Sequence, residues 1–294
     1  MAGRARASPM SWGRSGFAGA AGAKLHYVRG GDGEPMLLLH GWPQTWREWD
    51  AVAPALADSF DVIAIDLPGL GESEPSPRGY GKREVAGLIA GLLDELGVGP
   101  VVVVGHDMGA ATAFALAAFH PECVSRLVVL DMLLPGFGLE RMLDLSEGQG
   151  LWHFAFHQPP GVAEMLVSGR EREYLNLFFD EQAHRRGAIP AEQLDAYVAA
   201  YSQLERLGAG FGYYRAVLAD AADNRRFADA KIVQPVICIA GESGTREWMA
   251  ASFGGACESV TAHVIRECGH WIPEEKPEEL LRLISESRGL VPSS

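Results

Sequence analysis

A run of four valines, 101–104, ends in Gly105-His106-Asp107-Met108-Gly109, and an alanine-rich run, 110–119, follows at once. The first run reads as a strand and the second as a helix. A chain that passes from strand to helix in so few residues must turn sharply. Side chains flanking such a turn would strike the neighbouring strand or helix, so glycine is required there, and the residue at the tip is held in a strained conformation. Ala110 and Ala111 are small enough for the new helix to pack closely. A strand apolar on both faces belongs in a sheet covered on both sides, so this one segment already points to an α/β fold.

The other segments fit that frame. Short apolar runs at 25–29, 36–40, 61–65, 127–130, 236–240 and 260–265 read as strands, and 83–96 and 277–285 read as helices. The runs 25–29 and 36–40, separated by Gly30-Gly31-Asp32-Gly33, read as a hairpin. The expected fold is α/β: a mostly parallel sheet with helices on both faces. From 133 to 227 no strand run appears. Helical patterns at 170–184, 191–207 and 211–222 carry many aromatics there, which suggests an inserted helical lid. The expected organisation is a core of 24–132 and 228–294, a lid (cap) domain of 133–227, and an N-terminal extension of 1–23. That extension is rich in Arg, Gly, Ala and Ser, has no acidic residue and lacks an apolar run of signal-peptide length. It reads as flexible, with a cytoplasmic location as the default.

Composition removes several function classes. The formal net charge of −13 lacks the basic excess that phosphate binding requires, so no nucleic-acid partner is expected. No apolar stretch approaches the ~18 residues of a membrane-spanning helix. The four cysteines, Cys123, Cys238, Cys257 and Cys268, show no metal or redox spacing. No metal site and no cofactor are expected.

Asp107 at the tip of the turn has two readings: the cap of the following helix, or a nucleophile on the elbow written G-x-S-x-G, with Asp in place of Ser. Three other segments favour the nucleophile. His40-Gly41-Trp42-Pro43 follows the strand at 36–39, where one oxyanion donor belongs; the donors would be the main-chain N–H groups of Trp42 and Met108. Cys268-Gly269-His270-Trp271 follows the last strand, in the chain order expected of a histidine base. Asp131 ends the strand after the elbow and is the chosen partner of His270, with Glu242, after the strand at 236–240, as the competitor.

With these residues in view the chain resembles the α/β-hydrolase-fold epoxide hydrolases and their relatives, the fluoroacetate dehalogenases, from about residue 23 to 290. The marks are His40-Gly41-Trp42-Pro43-Gln44-Thr45-Trp46, Asp66-Leu67-Pro68-Gly69-Leu70-Gly71-Glu72-Ser73, the elbow, Trp152-His153-Phe154, Tyr213-Tyr214-Arg215-Ala216 and Gly269-His270-Trp271-Ile272-Pro273-Glu274-Glu275. The resemblance implies attack of Asp107 on an epoxide carbon, an alkyl-ester intermediate, and its hydrolysis to a vicinal diol by water that His270 activates. It also implies lid donors for the opening oxygen. Many relatives use two tyrosines. Here Tyr214 stands at one position and His153 at the other, a pair similar to that of the bacterial channel-inhibitory-factor type. His40 and Trp152 are candidate substrate contacts. The reactants are a small epoxide and water, acting on a monomer or homodimer. A haloacid or haloalkane dehalogenase with the same aspartate is the first alternative; Met108 and Trp42 stand where those relatives carry Arg, or Trp and Asn. A non-catalytic hydrolase-fold binding protein is the second.

Overall fold

Along each central strand the side chains alternate between two sides, and the apolar residues divide accordingly. Leu37, Ile63, Val103 and Val129 pack in one cluster, and Leu38, Val62, Val104 and Val128 in the other. The computed structural model describes residues 12–20, 22–142 and 151–286. Its strands are β1 (Arg14–Ala20), β2 (Ala23–Gly30), β3 (Glu34–Leu39), β4 (Phe60–Ile65), β5 (Val101–His106), β6 (Val124–Leu130), β7 (Val236–Gly241) and β8 (Val260–Ile265). They form one sheet in the order β1-β2-β4-β3-β5-β6-β7-β8. The pairs β1/β2 and β2/β4 are antiparallel, and every pair from β4 to β8 is parallel.

Helices cover both faces. On one lies α1 (Ala53–Ala57), joined near the C-terminus by α12 (Ile272–Glu275) and α13 (Pro277–Glu286). On the other lie α2 (Lys82–Glu95), α3 (Met108–Phe119) and α11 (Trp248–Gly254). Val85, Ile89 and Leu92 of α2, spaced i, i+4, i+7, bury one stripe of that helix. α3 packs against α2 on one side and against β5 and β6 on another, and is buried from Met108 to Ala117.

Among the described residues between β6 and β7 stand the α-helices α4 (Leu139–Met142), α5 (Trp152–His157), α6 (Val162–Val167), α7 (Glu171–Gln182), α8 (Ala191–Tyr201), α9 (Leu204–Arg215) and α10 (Val217–Asn224). They fall within the stretch 133–227 read as helical, of which 143–150 lie outside the described residues. It is fastened to the core. The Tyr213 hydroxyl donates to the Pro68 carbonyl at 2.9 Å, Tyr201 to the Gln44 carbonyl at 2.8 Å, and Trp271 Nε1 to the Phe179 carbonyl at 2.9 Å. A buried ion pair, Lys82 Nζ to Asp220 Oδ2 at 3.0 Å, joins α2 to α10. Among the described residues no helix is long and apolar enough to cross a membrane.

Three expectations need correction. The runs at 25–29 and 36–40 do not form a hairpin: β4 lies between β2 and β3, and β3 enters the centre of the sheet. Gly31 serves close backbone approach instead. At φ 87 a side chain there would stand 2.1 Å from the Phe60 carbonyl oxygen. The extension 1–23 is not all flexible, since residues 14–20 form β1 along the edge of β2; residues 1–11 lie outside the described residues. The single helices read at 191–207 and 211–222 are α8, α9 and α10. No Pro or Gly marks the break at Ser202-Gln203, so the apolar spacing runs across it.

Candidate active site

Asp107 occupies the tip of the elbow between β5 and α3, with φ 49 and ψ −120. That left-handed φ costs a non-glycine residue on the order of 1–3 kcal/mol, supplied by the packing around it. Its flanks need glycine: a Cβ at Gly105 would lie 2.4 Å from the Gly109 carbonyl oxygen, and one at Gly109 2.1 Å from that of Leu39. The helix-cap reading of Asp107 fails, because its side chain makes no cap hydrogen bond to α3. The carboxylate turns towards the β3 loop, where Oδ2 accepts the main-chain N–H of Trp42 at 3.0 Å. Met108 is the first residue of α3. Its N–H is one of those that a helix start leaves without an intrahelical partner.

His270 follows β8 and reaches over the elbow, its Nε2 3.8 Å from Asp107 Oδ1. Its Nδ1 lies 2.8 Å from Asp131 Oδ2. Since a carboxylate only accepts, Nδ1 carries the hydrogen and Nε2 presents its lone pair to Asp107, an assignment that rests on the hydrogen-bond pattern. Asp131 stands just past β6 at φ 42. Its Oδ1 accepts from the Gly241 N–H at 3.0 Å, the Thr245 N–H at 2.9 Å and the Thr245 hydroxyl at 2.9 Å. Burial alone would raise its pKa, but the hydrogen bond and charge of His270, with the two main-chain donors, hold it below the usual carboxylate range. Glu242 is exposed and accepts the Glu267 N–H at 2.9 Å, so it does not meet His270.

The two carboxylates and His270 open into a cavity of about 1350 Å³, lined also by Trp152, His153, Phe178 and Tyr214 from the inserted helices. Tyr214 of α9 is buried, its ring edge-on to Trp42 at 5.5 Å and to His153 at 5.5 Å. Tyr213 leaves α9 about 100° round the helix from Tyr214, its ring tilted against Tyr80 at 5.2 Å. Burial first, and the Asp107 charge second, raise the Tyr214 phenol well above its ordinary range, so it enters the cavity protonated. Trp152 lines the same cavity, with its indole N–H committed to Glu181 at 3.1 Å. His40 does not reach the cavity: it is fully buried, Nδ1 donating to the Gly41 carbonyl at 2.7 Å and Nε2 accepting the Leu67 N–H at 3.0 Å. The expected substrate contact at His40 is therefore corrected to a brace for the turn that carries Trp42.

Burial, and next the charge of His270, push the His153 imidazole down to about 3. It stays neutral when folded but takes up a proton once unfolded, near pH 6.5. The folded pKa is the lower one, so His153 costs stability as pH falls from about 6.5 towards 3. One proton corresponds to about 1.4 kcal/mol per pH unit. Unfolding free energy between pH 6 and pH 4 should therefore fall less steeply in His153→Phe than in the wild type, by about that slope. Equal slopes in urea titrations across this range would show that His153 is not held neutral.

Two groups escaped the sequence reading. One is the cradle of Asp131 on Gly241 and Thr245. The other is a buried pair behind the elbow, Glu48 with His106, whose charges approach within 2.9 Å. Glu48 lies in a short turn after the Trp42 loop, and its sequence signal is an acid set between Trp46 and Trp49.

Comparison with known proteins agrees with this geometry. The family model described as the alpha/beta hydrolase fold matches residues 34–277. The soluble epoxide hydrolase of Corynebacterium sp. (strain C12) is 34% identical over 260 residues, covering 87% of this chain and 91% of that protein. Among solved structures, wild-type Cfl2 from Burkholderia cenocepacia superposes with a TM-score of 0.89 at 37% identity, covering 95% of this chain and 96% of that one. The Cif epoxide hydrolase from Acinetobacter nosocomialis gives a TM-score of 0.88 at 28% identity, covering 94% and 89%. With an aspartate on the elbow, a histidine–aspartate pair facing it and matches over most of its length, the chain belongs to the α/β-hydrolase fold family, in the branch that includes the Corynebacterium soluble epoxide hydrolase.

Proposed function

We propose that the protein is an epoxide hydrolase working through a covalent ester on Asp107, with residues 133–227 as the lid. The observation that carries this reading is the setting of the Asp107 carboxylate: one oxygen on the Trp42 N–H, the other towards His270, both opening into a cavity walled by Tyr214 and His153. Oδ1 attacks an epoxide carbon, forming the O–C bond as the ring C–O bond breaks. The ring oxygen takes a proton from Tyr214, with His153 as the second donor. Water then attacks the Asp107 carbonyl carbon while His270 Nε2 takes its proton, and Asp131 stabilises the imidazolium. Oδ2 becomes the oxyanion, met by the Trp42 and Met108 amides. Collapse releases the diol, protonated from His270, and the remaining proton restores the tyrosine. The names of the Corynebacterium and Acinetobacter relatives support the substrate class. A haloacid would need a cation beside Asp107 to hold its carboxylate; Met108, Gly109, Ala110 and Ala111 follow it instead.

The reading makes the diol oxygen a marker. In ¹⁸O-water, the diol from a single turnover should carry unlabelled oxygen from Asp107, and label should enter on later turnovers. Label in the first diol would mean direct attack of water and would remove the ester. Tyr214→Phe should slow ester formation by about 100- to 1,000-fold, the usual loss when one donor to a developing oxyanion is removed. Rapid-quench rates near wild type would move the donor role away from Tyr214.

A further inference from the structure

The Glu48–His106 pair takes no part in the steps above, yet it touches three segments that do. Glu48 Oε1 lies 2.9 Å from His106 Nδ1, and both side chains are fully buried. At that distance the contact is an ion pair. His106 Nε2 stands 2.8 Å from the main-chain carbonyl oxygen of His270. A carbonyl only accepts, so Nε2 carries a hydrogen. If Nδ1 were bare, its lone pair would face a buried carboxylate, a repulsive arrangement in a low-dielectric interior. Glu48 Oε2 accepts the Gly41 N–H at 2.9 Å. The pair is therefore imidazolium and carboxylate. Burial would lower the His106 pKa, but Glu48 outweighs it, and Asp107 and Glu274 add to the same effect, lifting it to about 9. Glu274, held by Gln44 at 2.6 Å and Tyr197 at 3.1 Å, is itself pushed up to about 8 by burial and by Glu48.

We propose that Glu48 and His106 are positioning residues for the second half-reaction: one buried ion pair fixes the main chain of His270 and, through Gly41, the turn whose next amide is the Trp42 oxyanion donor. This rests on the reading of Asp107 as nucleophile and His270 as base. Attack of Asp107 on carbon needs no base and uses the Trp42 amide only to orient Oδ2, whereas attack of water on the ester needs both the base and amides placed to hold the oxyanion. Loss of the pair must then separate the two steps. A displacement of reacting groups by about 1 Å is worth roughly 100-fold in rate.

The test follows ester formation and decay on the peptide carrying Asp107, by rapid quench and mass spectrometry with styrene oxide as probe. In His106→Gln and Glu48→Gln, decay should slow by about 100-fold while formation slows far less, so that ester accumulates. Equal slowing of both steps, or no change in either, would overturn the positioning role, since loss of folded protein scales both together. Absence of any adduct in both wild type and His270→Gln would instead overturn the epoxide hydrolase reading beneath it. Should the variants fail to fold, ¹⁵N resonances of His106 in the wild-type protein decide the matter. Both ring nitrogens should be protonated at pH 7, and a bare Nδ1 would overturn the proposal.

Discussion

Replacing His270 with glutamine is expected to stop the protein after its first chemical step and leave substrate attached to Asp107. The two half-reactions draw on different groups. In the proposed mechanism Asp107 attacks as a carboxylate and needs no base, and Tyr214 and His153 would meet the opening oxygen. Hydrolysis of the proposed ester needs a lone pair near the Asp107 carbonyl, and His270 Nε2, 3.8 Å from Oδ1, would supply it. Glutamine has no comparable base. Loss of a catalytic histidine costs on the order of 10⁴-fold or more in turnover, and here that loss should fall almost wholly on the second step. Exposure of His270→Gln to pooled epoxides, a haloalkane and fluoroacetate, followed by intact-mass analysis and peptide mapping, distinguishes the readings. Gain of a whole epoxide mass on the Asp107 peptide is the expected result. An alkyl or carboxymethyl adduct, with halide released, would turn the assignment to dehalogenation. No adduct from any compound would leave a hydrolase fold without this chemistry and favour a binding role.

The parts of this site that could be read in advance were those with local causes. The elbow was legible because its strand, glycines and small helix residues lie within 20 residues of one another, and each has a steric reason that needs no knowledge of the rest. Asp131 and His270 were legible through the order of strands, since each follows the strand that carries it to the same end of the sheet. Strand order itself is not local, which is why β2 and β3 were paired wrongly; only the long-range match with β4 separates them. β1 was missed because Arg-Ser-Gly-Phe-Ala-Gly-Ala carries no β-branched residue and is held by its main chain against β2. His40 was misjudged for another reason: neighbours in a tight turn face different ways, so the residue two before the Trp42 amide points into the core. The Glu48–His106 pair joins segments that have no pattern in common, and only their meeting in space gives either residue a role.

Asp131→Asn should lower turnover by about 10⁴-fold with little change in fold, because the surrounding hydrogen bonds dictate how the new amide must sit. Oδ1 of Asp131 accepts three donors, the Gly241 N–H, the Thr245 N–H and the Thr245 hydroxyl. Only the carbonyl oxygen of asparagine can take that place. Its NH₂ group is then left at the position of Oδ2, 2.8 Å from His270 Nδ1. A donor now faces a ring nitrogen that carried a hydrogen, so the imidazole must move its hydrogen to Nε2 or turn away. In the first case Nε2 has no lone pair to offer water; in the second it no longer faces Asp107. Ester formation is untouched by either, so the variant should accumulate the same Asp107 adduct as His270→Gln. Glu242→Gln is the matched control, since that side chain is exposed and accepts the Glu267 N–H away from His270, and it should turn over at the wild-type rate. Steady-state diol formation and intact mass, measured side by side, decide it. Wild-type turnover in Asp131→Asn, or a collapse in Glu242→Gln, would take the acid of the triad away from β6 and give it to β7.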